Sequence, residues 1–404
     1  MSDFFQNGPI ATFHNLTNRP VESLEGEIRE LVGRRPVALV LPSLFEEIGT
    51  PALDKIVAEL SNVDYLTKIV IGLDRANEAE FQQAREYFAR LPQRTWILWN
   101  DGPRLSNLRE ELADRGLYTG EPGKGRNVWM CYGFVLAVDE VEVVALHDGD
   151  ILTYDRSLLA RLIYPALHRA FPYEFTKAYF SRIGGGRLHG RVARLFVTPL
   201  IRALRMLFPT SKYLEYMDAF RYPLAGEMSI GMGTLSTLRI PSDWGLEIGL
   251  LTEMYRNLSV KQICQVDISD NYEHKHKPLD LSQRSSGLGR MAEEIAKSLF
   301  RSLAAIGYDL QPARFQTIRA TYYRQALEML ERYERDASMN GLALDLHMEE
   351  QAIELFTDAI MDAGERFIRN PRERALIPSW RRVRSAVPDI YERFREAVEL
   401  DNAD

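Results

Sequence analysis

The stretch V-V-A-L-H-D-G-D-I-L-T-Y, Val143 to Tyr154, decides how the rest of the chain is read. Its first half is a short apolar run of the kind that fills a strand buried on both faces. Its second half carries two carboxylates, Asp148 and Asp150, separated only by Gly149. If the strand continues through them, its period of two puts both side chains on one side. Two carboxylates that close repel each other unless a cation lies between them. A hard divalent ion such as Mg²⁺ or Mn²⁺ is such a cation, held by one or two carboxylates and the phosphate oxygens of a substrate. Asp-Gly-Asp is equally good turn chemistry, so its place in the fold must decide.

Outward from this stretch the chain alternates. Val21, Leu24, Ile28 and Leu31 stand at helical spacing, and Val37–Pro42 is a continuous apolar run. A helical stretch at Pro51–Leu60 leads to the run Lys68–Leu73, and another at Glu78–Leu91 leads to Thr95–Asn100. Helices are then expected near Leu105–Arg115 and at Arg126–Val138, immediately before Val143. Strands alternating with helices predict βαβ units, right-handed crossovers and an α/β fold with a mostly parallel, Rossmann-like sheet flanked by helices. Ligands of such sheets sit beyond the carboxyl ends of the strands. Pro42, Asp74, Asn100 and Asp148 are placed there. From Asp155 to Asp280 the pattern is mixed, with candidate strands at Glu174–Ser181 and Lys261–Asp267. Three regions are expected: an N-terminal extension and helix (1–35), the main domain (36–280) and a helical C-terminal appendage (281–404).

Bulk properties narrow the class. The 404 residues are 46% hydrophobic and 26% charged, as in globular proteins, and the net charge of -7 argues against a nucleic-acid binder that relies on a global positive field. The two cysteines, Cys131 and Cys264, are far apart in apolar surroundings, which argues for a reducing compartment. With no secretory signal evident in M-S-D-F-F-Q-N-G and no apolar run of spanning length, a cytoplasmic protein is expected.

Four further segments carry chemistry. In E-P-G-K-G-R (Glu121–Arg126) glycines let backbone amides approach an anion and Lys124 adds a mobile charge, although the spacing is not that of a Walker loop. The cluster S-R-I-G-G-G-R-L-H-G-R (Ser181–Arg191) is either a flexible basic loop or an anion site built on arginine forks. Beyond it, Arg191–Phe208 reads as a membrane-surface amphipath or, with Pro199 inside, as a core segment. In Y-E-H-K-H-K-P-L (Tyr272–Leu279) His274 and His276 are either a polar loop or a source of a metal ligand. W-G-L-E-I-G-L-L (Trp244–Leu251) buries Glu247 at a helix start, where it needs a partner.

Together with L-P-S-L-F-E-E and P-L-A-G-E (Pro223–Glu227), these motifs in this order resemble the glucosyl-3-phosphoglycerate synthases, retaining glycosyltransferases of the GT-A type, over roughly Val37–Leu279. The resemblance implies UDP-glucose as donor, 3-phosphoglycerate as acceptor and Mg²⁺ or Mn²⁺ as cofactor, with a nucleotide-sugar half to about residue 154 and an acceptor half after it. It implies that Pro42, Leu44 and Glu46 border the uridine, with Asp74, Gly123, Asp148 and Gly149 also on the donor side. Lys124 would contact the donor, Asp150 and His274 would bind the metal, and Gly186, Arg187 and His189 would hold the acceptor. Glu247 would sit against the glucose hydroxyls, and Asp150, Glu247 and Lys124 form the catalytic set. Phe45 and His189 depart from the residues usual in the family, asparagine and a small hydroxyl residue, and the second departure bears on the acceptor.

Two other readings stand beside this one. One is mannosyl transfer from GDP-mannose, or transfer to another small acid, which would alter the base-contacting segment but not D-G-D. The other is a nucleotide-sugar-binding scaffold that self-associates through its helical tail. A homodimer is expected in either case, because an amphipathic helical appendage often buries its face on a second copy.

Overall fold

The computed structural model describes residues 6, 8–274, 287–371 and 376–403. Eight strands form the main sheet: β1 (Ala11–Phe13), β2 (Val37–Leu44), β3 (Leu66–Asp74), β4 (Thr95–Trp99), β5 (Val143–Leu146), β6 (Phe175–Phe180), β7 (Met228–Gly231) and β8 (Ile263–Ser269). Their order is β1-β8-β6-β7-β5-β2-β3-β4. Every pairing is parallel except those of β7, which runs antiparallel to both β5 and β6. The expected mostly parallel sheet is therefore present, with β7 and the short β1 added to it.

Local chemistry sets the helices between the first five strands, of which α1 is Val21–Val32 and α4 is Pro103–Asp114. Helix α2 (Pro51–Leu60) starts where Thr50 caps the Leu53 amide and Pro51 supplies the first-turn φ. Helix α3 (Glu78–Phe88) starts at a reciprocal capping box between Asn77 and Glu80. Helix α5 (Lys124–Val138) begins two residues before the expected Arg126, directly after Gly123 at φ 154°. Gly125 lets this first turn approach the backbone: a Cβ there would meet Pro241 O at 2.1 Å.

The two open edges of the sheet are each closed by a side-chain amide. On β1, Gln6 donates to Thr12 O at 2.8 Å and accepts from Thr12 N at 2.9 Å. On β4, Asn402 donates to Ile97 O at 2.8 Å and accepts from Ile97 N at 3.0 Å. Each amide takes the place of a neighbouring strand and blocks edge pairing.

The C-terminal helices share their core with one face of the sheet. The long helix Pro312–Met339 packs on Thr198–Leu207, and Ile390–Asn402 packs on α5 and β4. Trp380 stacks on Trp129 with ring centroids 4.3 Å apart, and each indole donates to backbone on the other's side. Arg191–Phe208 takes the core reading: Val192–Val197 is a π-helical turn, buried throughout, that continues into Thr198–Leu207. Among the described residues no helix is long and apolar enough to cross a membrane. The 280/281 boundary lies outside the described residues.

Candidate active site

Strand β5 ends at Leu146, and its ladder to β2 closes with His147 N donating to Val40 O at 3.1 Å. Asp148, Gly149 and Asp150 therefore lie on the turn that leaves the strand, not on the strand itself. The period-two argument for a shared side does not apply. What brings the carboxylates together is the turn, pressed against the end of β2: a Cβ at Gly149 would lie 3.1 Å from Ser43 Oγ and 3.2 Å from Glu47 Oε2.

Lys124, on the first turn of α5, is the cation that meets one of them, Asp148. Its Nζ lies 2.6 Å from Asp148 Oδ1 and 3.2 Å from Glu247 Oε1, so three of the expected residues form one cluster. Burial disfavours the Lys124 ammonium, yet Asp148 and Glu247 together hold its pKa well above the ordinary value. Asp148 shows the mirror effect: burial opposes its charge, and Lys124 outweighs burial and keeps the carboxyl below its usual range. Glu247 sits at the start of helix Leu246–Asn257, and Lys124 is the partner its burial required.

Asp150 has a different environment. Burial, and then the charge of Asp148, push its carboxyl up to about 6. Its Oδ2 lies 3.8 Å from His274 Nδ1, because His274 is bridged to Ile151 and the flanking Glu273 carbonyl accepts from Leu152 N at 2.8 Å. An ionised Asp150 beside Asp148 calls for a further cation. Among the described residues no group of three or more His, Cys, Asp or Glu side chains gathers as a metal site. Two side chains can hold an ion that takes few protein ligands and draws the rest from phosphate oxygens. Asp150 and His274 fit that description. His276 lies outside the described residues.

Pro42 and Leu44 are among the last three residues of β2, beside the D-G-D turn, whereas Asp74 ends β3 one strand farther, bonded at 2.8 Å to Asn100. Glu46 is exposed, while its neighbour Glu47 turns inward, where its Oε2 accepts from Leu44 N at 3.0 Å. The residues expected to hold the acceptor lie on and directly after a separate hairpin, Ile183–Gly184 paired with Arg187–Leu188. Gly185 and Gly186, at φ 55° and 70°, make its two-residue turn, a conformation that L side chains rarely take. Arg187 is exposed beside that turn, and His189 Nε2 contacts Gly184 O at 3.0 Å.

No protein-family model matches the chain. The glucosyl-3-phosphoglycerate synthase of Persephonella marina, however, is 44% identical over 404 residues, covering 100% of both chains. The chain belongs to the glucosyl-3-phosphoglycerate synthase family. The synthase of Methanococcoides burtonii is 36% identical over 99% of this chain and 98% of its own. The fold is that of the Mycobacterium tuberculosis synthase crystallised with Mn²⁺, UDP-glucose and phosphoglyceric acid (TM-score 0.53, 23% identity, 73% of this chain and 88% of that one).

Residues that the sequence left without a role also pack around Asp148. Glu227, in P-L-A-G-E, is fully buried and accepts from Tyr272 OH at 2.6 Å. Burial, and then the charge of Asp148, push its carboxyl up to about 7. Gly226 packs against Asp148, since a Cβ there would lie 2.4 Å from Oδ2. Lys177, buried on β6, donates to Ala225 O in the same segment, and burial lowers its pKa to about 8. The available signal was a glutamate and a glycine together at the start of an apolar run, M-S-I-G.

Proposed function

We propose that this synthase transfers glucose from UDP-glucose to 3-phosphoglycerate with retention of anomeric configuration, assisted by Mg²⁺ or Mn²⁺. The observation that carries the reading is the Lys124 cluster at the end of β5, in a chain 44% identical along its whole length to a curated synthase.

Transfer leaves negative charge on a diphosphate, and that charge must be met by groups already in place. The ion held by Asp150 and His274 would supply Lewis-acid stabilisation of the diphosphate. Lys124 remains charged at any working pH and stands beside the same turn, so it meets the developing charge without reorganising. Asp148 stays ionised and faces the nucleotide. Pro42, Leu44 and Glu46 border the base, with Asp74, Gly123 and Gly149 on the donor side. Glu247 receives sugar hydroxyls through its second oxygen, since Oε1 is taken by Lys124. That engagement makes Glu247 a poor nucleophile, which favours front-face attack: the acceptor oxygen bonds to C1 on the face from which phosphate departs, and its proton passes to the leaving phosphate oxygen. Gly186, Arg187 and His189 hold the acceptor anion.

The 36–280 division, cytoplasmic action and a homodimer belong to the same proposal. Two buried free cysteines support a reducing compartment, and exposed Tyr323, Met339 and Leu346 on the tail helices support self-association.

The test is UDP release from UDP-glucose with Mn²⁺, with and without 3-phosphoglycerate. Acceptor-dependent release is expected. Release only from GDP-mannose, or only with another acid, would replace the substrates and keep the site, while nucleotide binding without turnover from any pair would return the scaffold reading.

A further inference from the structure

The acceptor hairpin is not held by the sheet domain alone. Helix Leu346–Arg369, in the tail, presents Glu349 as a buried carboxylate. Its Oε1 accepts from Arg191 Nη2 at 2.9 Å and Nε at 3.1 Å, and its Oε2 accepts from Arg194 Nη2 at 3.1 Å. Arg194 in turn donates through Nε to His189 O at 2.8 Å, and its guanidinium lies 5.0 Å from the ring centroid of Tyr333, another tail residue. A second strut reaches the hairpin's turn. Ala343, in the connection between the two long tail helices, donates its N–H to Gly186 O at 2.9 Å, and it bridges Arg187 in parallel register.

We propose that Glu349 and Ala343 are positioning residues for the acceptor, so that the helical tail sets the orientation of the Gly186–His189 hairpin. The hairpin turn has two glycines at positive φ, an adaptable backbone that acquires a fixed orientation only from outside contacts. The struts attach at both ends of the segment read as acceptor-binding, Gly186 O at the turn and His189 O at the base. Glu349 also engages the guanidinium groups of Arg191 and Arg194 and offsets one of their two charges, while Arg187 stays exposed at the turn, so an incoming anion meets the arginine the hairpin aims rather than those that anchor it. The idea rests on the proposed acceptor role of the hairpin.

Glu349→Gln keeps the shape and removes the charge; Ala343→Pro removes one donor at an exposed turn and keeps the proposal testable if the buried variant fails to fold. In either variant KM for 3-phosphoglycerate should rise about tenfold, as for loss of a supporting contact behind a binding residue, with KM for UDP-glucose and the Mn²⁺ requirement within about twofold of wild type. Hydrogen exchange of the segment 182–190 should accelerate about tenfold in the absence of any substrate, with no change at 143–150. Unchanged exchange in a folded variant, or equal increases in both KM values, would overturn the positioning role. Faster exchange in the variants, when the wild type itself proves indifferent to 3-phosphoglycerate, would keep the strut and discard the acceptor reading.

Discussion

The Nζ of Lys124 and the Oδ1 of Asp148 lie 2.6 Å apart, and the same ammonium reaches Glu247 at 3.2 Å. One cation thus holds the D-G-D turn against the helix that carries Glu247, and it stabilises two acids that would otherwise repel. Lys124→Met should leave both acids without their counter-charge. A fully buried pair broken this way costs about 3–5 kcal/mol; Lys124 keeps 34% side-chain exposure, so about half of that is expected. The double variant Lys124→Met/Glu247→Gln should recover at least about 0.5 kcal/mol of the loss in denaturant unfolding. Strict additivity would show that Lys124 does not couple to Glu247.

Asp150 is oppositely placed. Burial and the neighbouring Asp148 disfavour its charge and outweigh the opposing pull of Lys124, which pairs with Asp148 and Glu247 instead. Asp150→Ala should therefore lower Mn²⁺-dependent kcat by at least about a hundredfold, while the metal-free protein melts at the same temperature or higher. A variant with full turnover would remove Asp150 from the metal site, and a large fall in metal-free Tm would show that the aspartate is structural.

The parts of this fold legible in the sequence are those with local causes. The expected helix Pro51–Leu60 is the observed one, because its cap and its first-turn proline are adjacent in sequence. The expected strands at Val37, Lys68 and Thr95 appear because burial on both faces demands continuous apolar runs. Strand β7 was not legible: M-S-I-G is four residues long and acquires its antiparallel place only from β5 and β6. The D-G-D segment was identified by its chemistry but placed on the strand rather than on the turn, since nothing local marks where the ladder to β2 stops. Lys124 and Glu247 were legible as candidates, and their contact across 123 positions was not. The struts from Glu349 and Ala343 are likewise tertiary.

Gly226 tests how closely β7 must approach the site. Its backbone needs no special φ, so the reason for glycine is space alone: an added Cβ would stand 2.4 Å from Asp148 Oδ2. Gly226→Ala should displace Asp148 from Lys124 and destabilise by about 1–3 kcal/mol through overpacking. It should also raise KM for UDP-glucose more than KM for 3-phosphoglycerate. Equal effects on both would place the disturbance in the fold rather than at Asp148.

Glu227 gives the metal-free protein a pH dependence of defined sign. Burial first, then Asp148, raise its carboxyl from the ordinary 4.5 to about 7, against the lowering effect of the Tyr272 hydroxyl. Between those values the folded state holds a proton that the unfolded state has released, so stability falls as pH rises. The stabilisation is complete below about 4.5 and lost as pH passes about 7. Glu227→Gln keeps an oxygen for Tyr272 and removes the titration. The drop in Tm between pH 5 and pH 8 should be smaller in the variant by about 2 °C or more. Identical profiles would mean that Glu227 titrates normally.

Pro199 leads to a prediction far from the chemistry. It lies within the continuous helical segment that runs from the π-helical turn into Thr198–Leu207, and having no N–H it cannot bond the carbonyl four residues back, Leu195. Tyr322, on the tail helix Pro312–Met339, supplies the missing donor: its hydroxyl reaches Leu195 O at 2.7 Å, fully buried. The proline thus opens a gap in the hydrogen-bonding of one helix that a second helix fills, and the wider π turn sits where this happens. Tyr322→Phe deletes only the donor and should cost about 1–3 kcal/mol, the range for a buried acceptor left alone, with both KM values unchanged. Replacing Pro199 by alanine in that background restores an N–H and should return part of the loss. If the single variant were as stable as wild type, the Tyr322 hydroxyl would not be what satisfies Leu195 O.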